Sequence, residues 1–179
     1  MLNIFKNKKG FSILEAVVAF YLITMGMVGL LSLITFSIKT QYITKNMITG
    51  SQLAQEGIEL VRNVRDTNWL NYYDWIDGDG FDSDTDILQD DNYIIDYTGT
   101  IDDSVTTNND AGTRLYLDGN GFYTHDSTPP NKPTTFYRII EVNEIVLDEQ
   151  LIVTSRVRWM AGGQNHEYVA ETELYYWAF

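Results

Sequence analysis

The chain has 179 residues, enough for one modest domain plus an anchor, and its formal net charge is −13. That acid excess argues against a nucleic-acid binder, which needs a basic face for phosphates. The absence of cysteine excludes a disulfide framework and any thiolate metal site. The two histidines, His125 and His166, are too few for a histidine-rich metal centre. Charge is also unevenly placed. Lys6, Lys8 and Lys9 give the first ten residues +3, which leaves −16 on the rest.

Residues 11–38 form an apolar run of 28 residues in which Glu15 is the one charge. About 20 apolar residues cross a bilayer as a helix. A cleavable secretory signal has an apolar core of only ~7–15 residues followed by a small-residue cleavage site. This run is too long for that, and no such site follows. The lysines precede it, so the N-terminus is expected on the cytoplasmic side and the acidic bulk outside. Beyond Ile38, apolar residues continue at helical spacing: Ile43, Met47, Leu53, Ala54, Ile58, Val61 and Val64. No proline occurs before Pro129. One helix is predicted from about Ser12 to Arg65, apolar all round in its first half and amphipathic in its second. A carboxylate within hydrocarbon costs about 2.5–3.5 kcal/mol on insertion scales, so Glu15 is a functional candidate.

The stretch "KKGFSILE", from Lys8 to Glu15, resembles the processing site of type IV prepilins and of type II secretion pseudopilins. In that family a basic leader ends in glycine. A membrane peptidase cuts after it, and the new first residue, often phenylalanine, is N-methylated. Gly10, Phe11 and Glu15 match the family's glycine, phenylalanine and glutamate. The resemblance implies cleavage between Gly10 and Phe11, N-methylation of Phe11, and an assembly role for Glu15. Its carboxylate would pair with the N-terminal amine of a neighbouring subunit, because a buried charge is tolerated when paired. Many members carry a proline where this chain has Ser32. Any loosening of the helix would therefore rest on Gly26 and Gly29, since glycine disfavours helix. "SQLAQEGIELVRNVRDTNW", from Ser51, resembles more loosely the helix after the membrane segment of minor-pilin-like proteins.

Between Arg65 and Arg114 there is no Lys, Arg or Glu, yet thirteen Asp. Asp prefers turns and caps to helix interiors. The region reads as a loop-rich, anionic connection. "RLYLDGNGFYTH", from Arg114, has the signature of a hairpin. "TPPNKPTT" breaks the chain before "FYRIIEV", with Phe136, Ile140 and Val142 near one face. In "LIVTSRVRW", Leu151, Val153, Val157 and Trp159 fall on one side and Arg156 and Arg158 on the other. "AGGQN" turns the chain into "EYVAETELYYW". A three-stranded antiparallel meander is expected to cover the stripe from Ile43 to Val64.

No nucleophile elbow, P-loop, dinucleotide fingerprint or HExxH helix is present. His125 beside Asp126 in a Gly/Pro-rich loop reads as a surface residue, and no catalytic residue is assigned. Asp82, Asp84, Asp86 and Asp90 stand at positions 1, 3, 5 and 9 of an EF-hand-like loop. Ile87 occupies the glycine position, however, and Tyr93 the place of the bidentate glutamate. Asp77, Asp79 and Asp82 form a second cluster. No cofactor is expected: the region reads as a solvated acidic loop, calcium is the alternative, and no ligand set is assigned.

The expected fold is α+β and pilin-like, a long N-terminal helix packed on an antiparallel sheet. The expected segments are a basic leader (1–10), a transmembrane and filament-core helix (11–38), its amphipathic continuation (39–66), an Asp-rich connection with a hairpin (67–134) and the β-meander (135–179). The resemblance implies a structural subunit, a minor pilin in type, and no enzyme. Implied partners are other pilin subunits, a prepilin peptidase, an inner-membrane assembly platform and, before assembly, the bilayer. The implied location is the cell membrane, single-pass, and then an extracellular filament. The alternatives are a pseudopilin of a type II secretion or DNA-uptake machine, and an anchored ectodomain that never polymerises.

Overall fold

The computed structural model describes Gly10 and residues 12–76, 90–99, 101–102, 105, 107, 111–146 and 149–176. The chain divides into two compact units, Met1–Tyr42 and Ile43–Phe179, and one helix, α1 (Ile13–Leu70), contributes to both. The architecture is α+β, a long N-terminal helix packed on an antiparallel sheet.

α1 outruns its expected end by about one turn. It stops in a Schellman arrangement: Tyr73 N–H donates to Asn68 O (2.9 Å) and Tyr72 N–H to Trp69 O (3.0 Å). Tyr72 takes the left-handed position (φ 61°) usually given to glycine. With no glycine to mark it, the stop had no sequence signal.

Among the described residues seven strands follow: β1 (Asp91–Ile95), β2 (Ile101–Asp102), β3 (Arg114–Leu117), β4 (Tyr123–Thr124), β5 (Lys132–Val146), β6 (Gln150–Ala161) and β7 (Gln164–Tyr175). β5, β6 and β7 form the expected meander, with Phe136 opposite Trp159 and Trp159 opposite His166. The two-residue turn at Gly162 and Gly163 needs φ > 0 at both positions (62° and 80°), which only glycine adopts without strain. The sheet is larger than a three-stranded meander. β5 is long enough to pair with β6 along one edge and with both β1 and β3 along the other. The β3–β4 hairpin lies in "RLYLDGNGFYTH", with Leu117 opposite Tyr123.

Within Ile43–Phe179 the core has two adjoining parts. Ile58 and Val61 of α1 meet Tyr93, Ile95, Ile140, Val142, Leu151 and Val153. Leu53 and Ala54 meet Leu115, Phe136, Val157 and Trp159. Met47, expected on this stripe, is instead 54% exposed. The buried face runs one position away from it, through Asn46, Gly50, Leu53, Ala54, Gly57, Ile58 and Val61. Two glycines on that face let helix and sheet approach closely. A Cβ at Gly50 would lie 2.5 Å from Cζ3 of Trp159, and one at Gly57 would lie 2.7 Å from Cδ1 of Ile140. Leu53, Ala54, Ile58 and Val61 lie on the buried face as expected, and an apolar count left out Asn46, Gly50 and Gly57 because it ranks glycine and asparagine low.

Candidate functional site

The first half of α1 carries membrane-length hydropathy and is unburied over its most apolar window. Ile13, Phe20, Leu22, Val28, Leu33 and Phe36 are each more than half exposed. It is one helix near the N-terminus that is long and apolar enough to span a bilayer. Two of its threonine hydroxyls bond carbonyls about one turn back. Thr24 Oγ1 donates to Tyr21 O (2.9 Å) and Thr35 Oγ1 to Leu31 O (2.5 Å), both within the helix. The helix runs unbroken through Gly26 and Gly29, and nothing lies within 4 Å of a Cβ built at either.

The Ser12 carbonyl accepts the first helical hydrogen bond, from Ala16 N–H (3.1 Å), which makes Ser12 the N-cap. Glu15 is then in the first turn and exposed. A carboxylate there also meets the free N–H groups and the positive end of the helix dipole. Gly10 is exposed, and Phe11 lies outside the described residues.

A second site was not legible in the sequence. A cleft of about 650 Å³ is lined by Asp96, Asp102, Asp118 and Asp126 together with Tyr97 and His125. Asp96 follows β1 and is buried. Its carboxylate accepts from Thr98 Oγ1 (2.5 Å), Thr124 Oγ1 (2.6 Å), Thr98 N–H (2.9 Å) and His125 N–H (3.0 Å). Burial pushes this carboxyl up, but the four hydrogen bonds outweigh burial and hold it below the ordinary aspartate range. Asp118 organises the hairpin loop, accepting from Asn120 N–H and Phe122 N–H (both 2.8 Å) and from the Tyr97 hydroxyl (2.8 Å). Tyr97 and Phe122 pack at the rim with ring centroids 5.3 Å apart.

His125 is not the surface residue expected of a loop histidine. β4 pairs with β3, and this folds His125 against the 3-10 turn Ala111–Thr113, where its Nδ1 lies 3.1 Å from Gly112 O. Nε2 is buried without a protein partner. Burial first, and then the charge of Arg138, push the imidazole down to about 4. Arg138 is fully buried. Its guanidinium reaches Leu53 O (3.2 Å) in the middle of α1, Glu56 Oε1 (3.2 Å) and Ile95 O (2.7 Å) at the end of β1. Burial pulls its pKa down, and Glu56 and Asp96 oppose that. Alternation along β5 places Arg138 on the inward face with Phe136 and Ile140.

Of the candidate calcium ligands, Asp77, Asp79, Asp82, Asp84 and Asp86 lie outside the described residues, and Asp90 stands exposed just before β1. Among the described residues no three acidic or histidine side chains are grouped to hold a metal ion. Comparison with family models, with curated proteins and with solved structures returned no match.

Proposed function

We propose that this chain is a structural subunit, minor-pilin in type, of a type IV pilus-like surface filament. It is cleaved after Gly10, N-methylated on Phe11, held in the membrane by the first half of α1 with its N-terminus cytoplasmic, and then assembled through that helix. The observation that carries this reading is the pairing of a membrane-length, uncovered apolar helix with a single carboxylate, Glu15, in its first turn behind Gly10 and Phe11. The second half of the same helix enters a folded α+β unit, which suits a subunit that presents a sheet outside a helical filament core.

The test uses Glu15→Val in a host with a working pilus machine. Loss of the charge makes the helix more compatible with lipid, so the variant is expected to insert and to be cleaved. Its recovery in sheared filaments is expected to fall by orders of magnitude, since breaking one half of a buried pair costs about 3–5 kcal/mol. Wild-type recovery refutes the pairing role of Glu15. A cell-surface chain that begins at Met1, or beyond Ile38, refutes the filament reading as a whole.

A further inference from the structure

The unit Ile43–Phe179 carries two concave surfaces of opposite charge. Side chains alternate along β5, and Phe136, Arg138 and Ile140 face α1, so Tyr137 faces away. On that outer face Arg114 of β3 and Arg158 of β6 flank Tyr137, with guanidinium carbons 5.9 and 5.6 Å from its ring centroid. The backbone register places Arg114 opposite Tyr137 and Tyr137 opposite Arg158, so this ladder crosses three adjacent strands. Arg114 also lies 5.9 Å from the ring of Tyr116. Glu167, opposite Arg158 on β7, pairs with Arg156 at 3.3 Å. A hollow of about 340 Å³ beside the ladder is lined by Arg114, Tyr137, Arg158 and Met160, with no carboxylate among the described residues of its lining. Among the described residues, the cleft of Asp96, Asp102, Asp118 and Asp126 has four carboxylates in its lining and no Lys or Arg. The two hollows share no described residue.

In a chain of net charge −13, a cationic, aromatic-backed hollow is placed against the prevailing field. Its complement is the acidic cleft of the same kind of unit. We propose that the Arg114–Tyr137–Arg158 ladder of one copy docks on the Asp-lined cleft of the next. The contact is heterologous, because each copy offers one surface and accepts on the other, and such contacts propagate into open helical assemblies unless they close into rings. The proposal rests on the filament reading for its setting and deepens it by naming the outer-domain contact between neighbours. Opposite charge selects the register and speeds encounter, and salt screens it.

The absence of native cysteine makes the test direct. Met160→Cys marks the ladder, since Met160 is 60% exposed beside it. Asn120→Cys marks the rim of the cleft, since Asn120 is exposed and lines it. Full-length chains are mixed in detergent micelles with a short bis-maleimide. The expected result is a cross-link between the 120 and 160 markers, and a ladder of multimers when one chain carries both. High salt, or Arg158→Glu, should lower the yield about tenfold. Cross-linking only between like markers overturns the proposal. So does a yield indifferent to salt and to Arg158→Glu, or one equal to that of a Glu173→Cys control. Filaments that assemble without the 120–160 cross-link sink this contact and leave the filament reading standing. The cross-link in a chain that is never cleaved after Gly10 does the reverse.

Discussion

Replacing Gly57 by alanine separates helix propensity from tertiary packing, because the two act in opposite directions. In an exposed helix interior the change stabilises by about 1 kcal/mol. Here the added methyl would lie 2.7 Å from Cδ1 of Ile140, closer still to Oγ of Ser155, and 3.2 Å from Cβ of Ser155. Ser155 is fully buried, so neither partner has solvent to move into. Overpacking of this kind costs about 1–3 kcal/mol. The clash falls on rigid strand residues, which puts the expectation in the upper part of that range. The net loss is then about 1–2 kcal/mol, or roughly 2–8 °C in Tm for a chain of this size. Thermal denaturation followed by circular dichroism reads it. Ser155→Ala removes the nearest atom, so Gly57→Ala should be about 1 kcal/mol less harmful in that background, a coupling visible in a double-mutant cycle. A Gly57→Ala chain that melts higher than the parent refutes the close approach of α1 to β5 and β6.

Three further outcomes follow from the same packing. Arg138→Ala empties a fully buried site and takes the charged donor from Ile95 O, and should lower stability by about 2–5 kcal/mol in a denaturant titration, with Arg138→Lys recovering little because it lacks the planar fork. His125 binds its proton more weakly folded (about 4) than unfolded (6.5). The unfolded state therefore takes up more protons in that window, and stability should fall as pH drops from about 6.5 to 4, by up to about 3 kcal/mol. Substitution by glutamine should flatten that slope, and an unchanged slope in the variant would assign it to other groups. Tyr72 is 98% exposed in a left-handed conformation. Tyr72→Gly should stabilise by about 1 kcal/mol in the same melts, and a loss of stability would mean that Tyr72 is held there by contacts.

The long helix and the meander were legible because their periodicities are strong and uninterrupted. The run from Ile13 to Ile38 admits no reading but helix, and Leu151, Val153, Val157 and Trp159 alternate cleanly. β1 was hidden because "DNYII" sits among aspartates that signal turns, and its pairing with β5 is a long-range contact that no local pattern encodes. The same limit hid the cleft. Asp96 comes from the end of β1 and Asp118 and His125 from the β3–β4 hairpin, and only the joining of β1 and β3 to β5 brings the two segments together. Arg138 was not singled out, for a different reason. Alternation placed it inward and charge argued outward, and alternation won because a helix carbonyl, a strand carbonyl and Glu56 were all within reach of one guanidinium.

Gly50 under Trp159 and Gly57 under Ser155 are seven residues apart, about 10 Å along the axis of α1. No other pair of glycines in α1 has that spacing, so the helix seats on the sheet in one axial position. A pull along α1 would force Trp159 and Ser155 over the bulkier residues between the two glycines. Close-packed interiors barely compress, so resistance rises within a fraction of a helical turn and is then lost together. The unit should therefore be stiff and brittle under tension. Single-molecule pulling on α1 should give one force peak at short extension, and a gradual rise spread over several turns would exclude this axial lock.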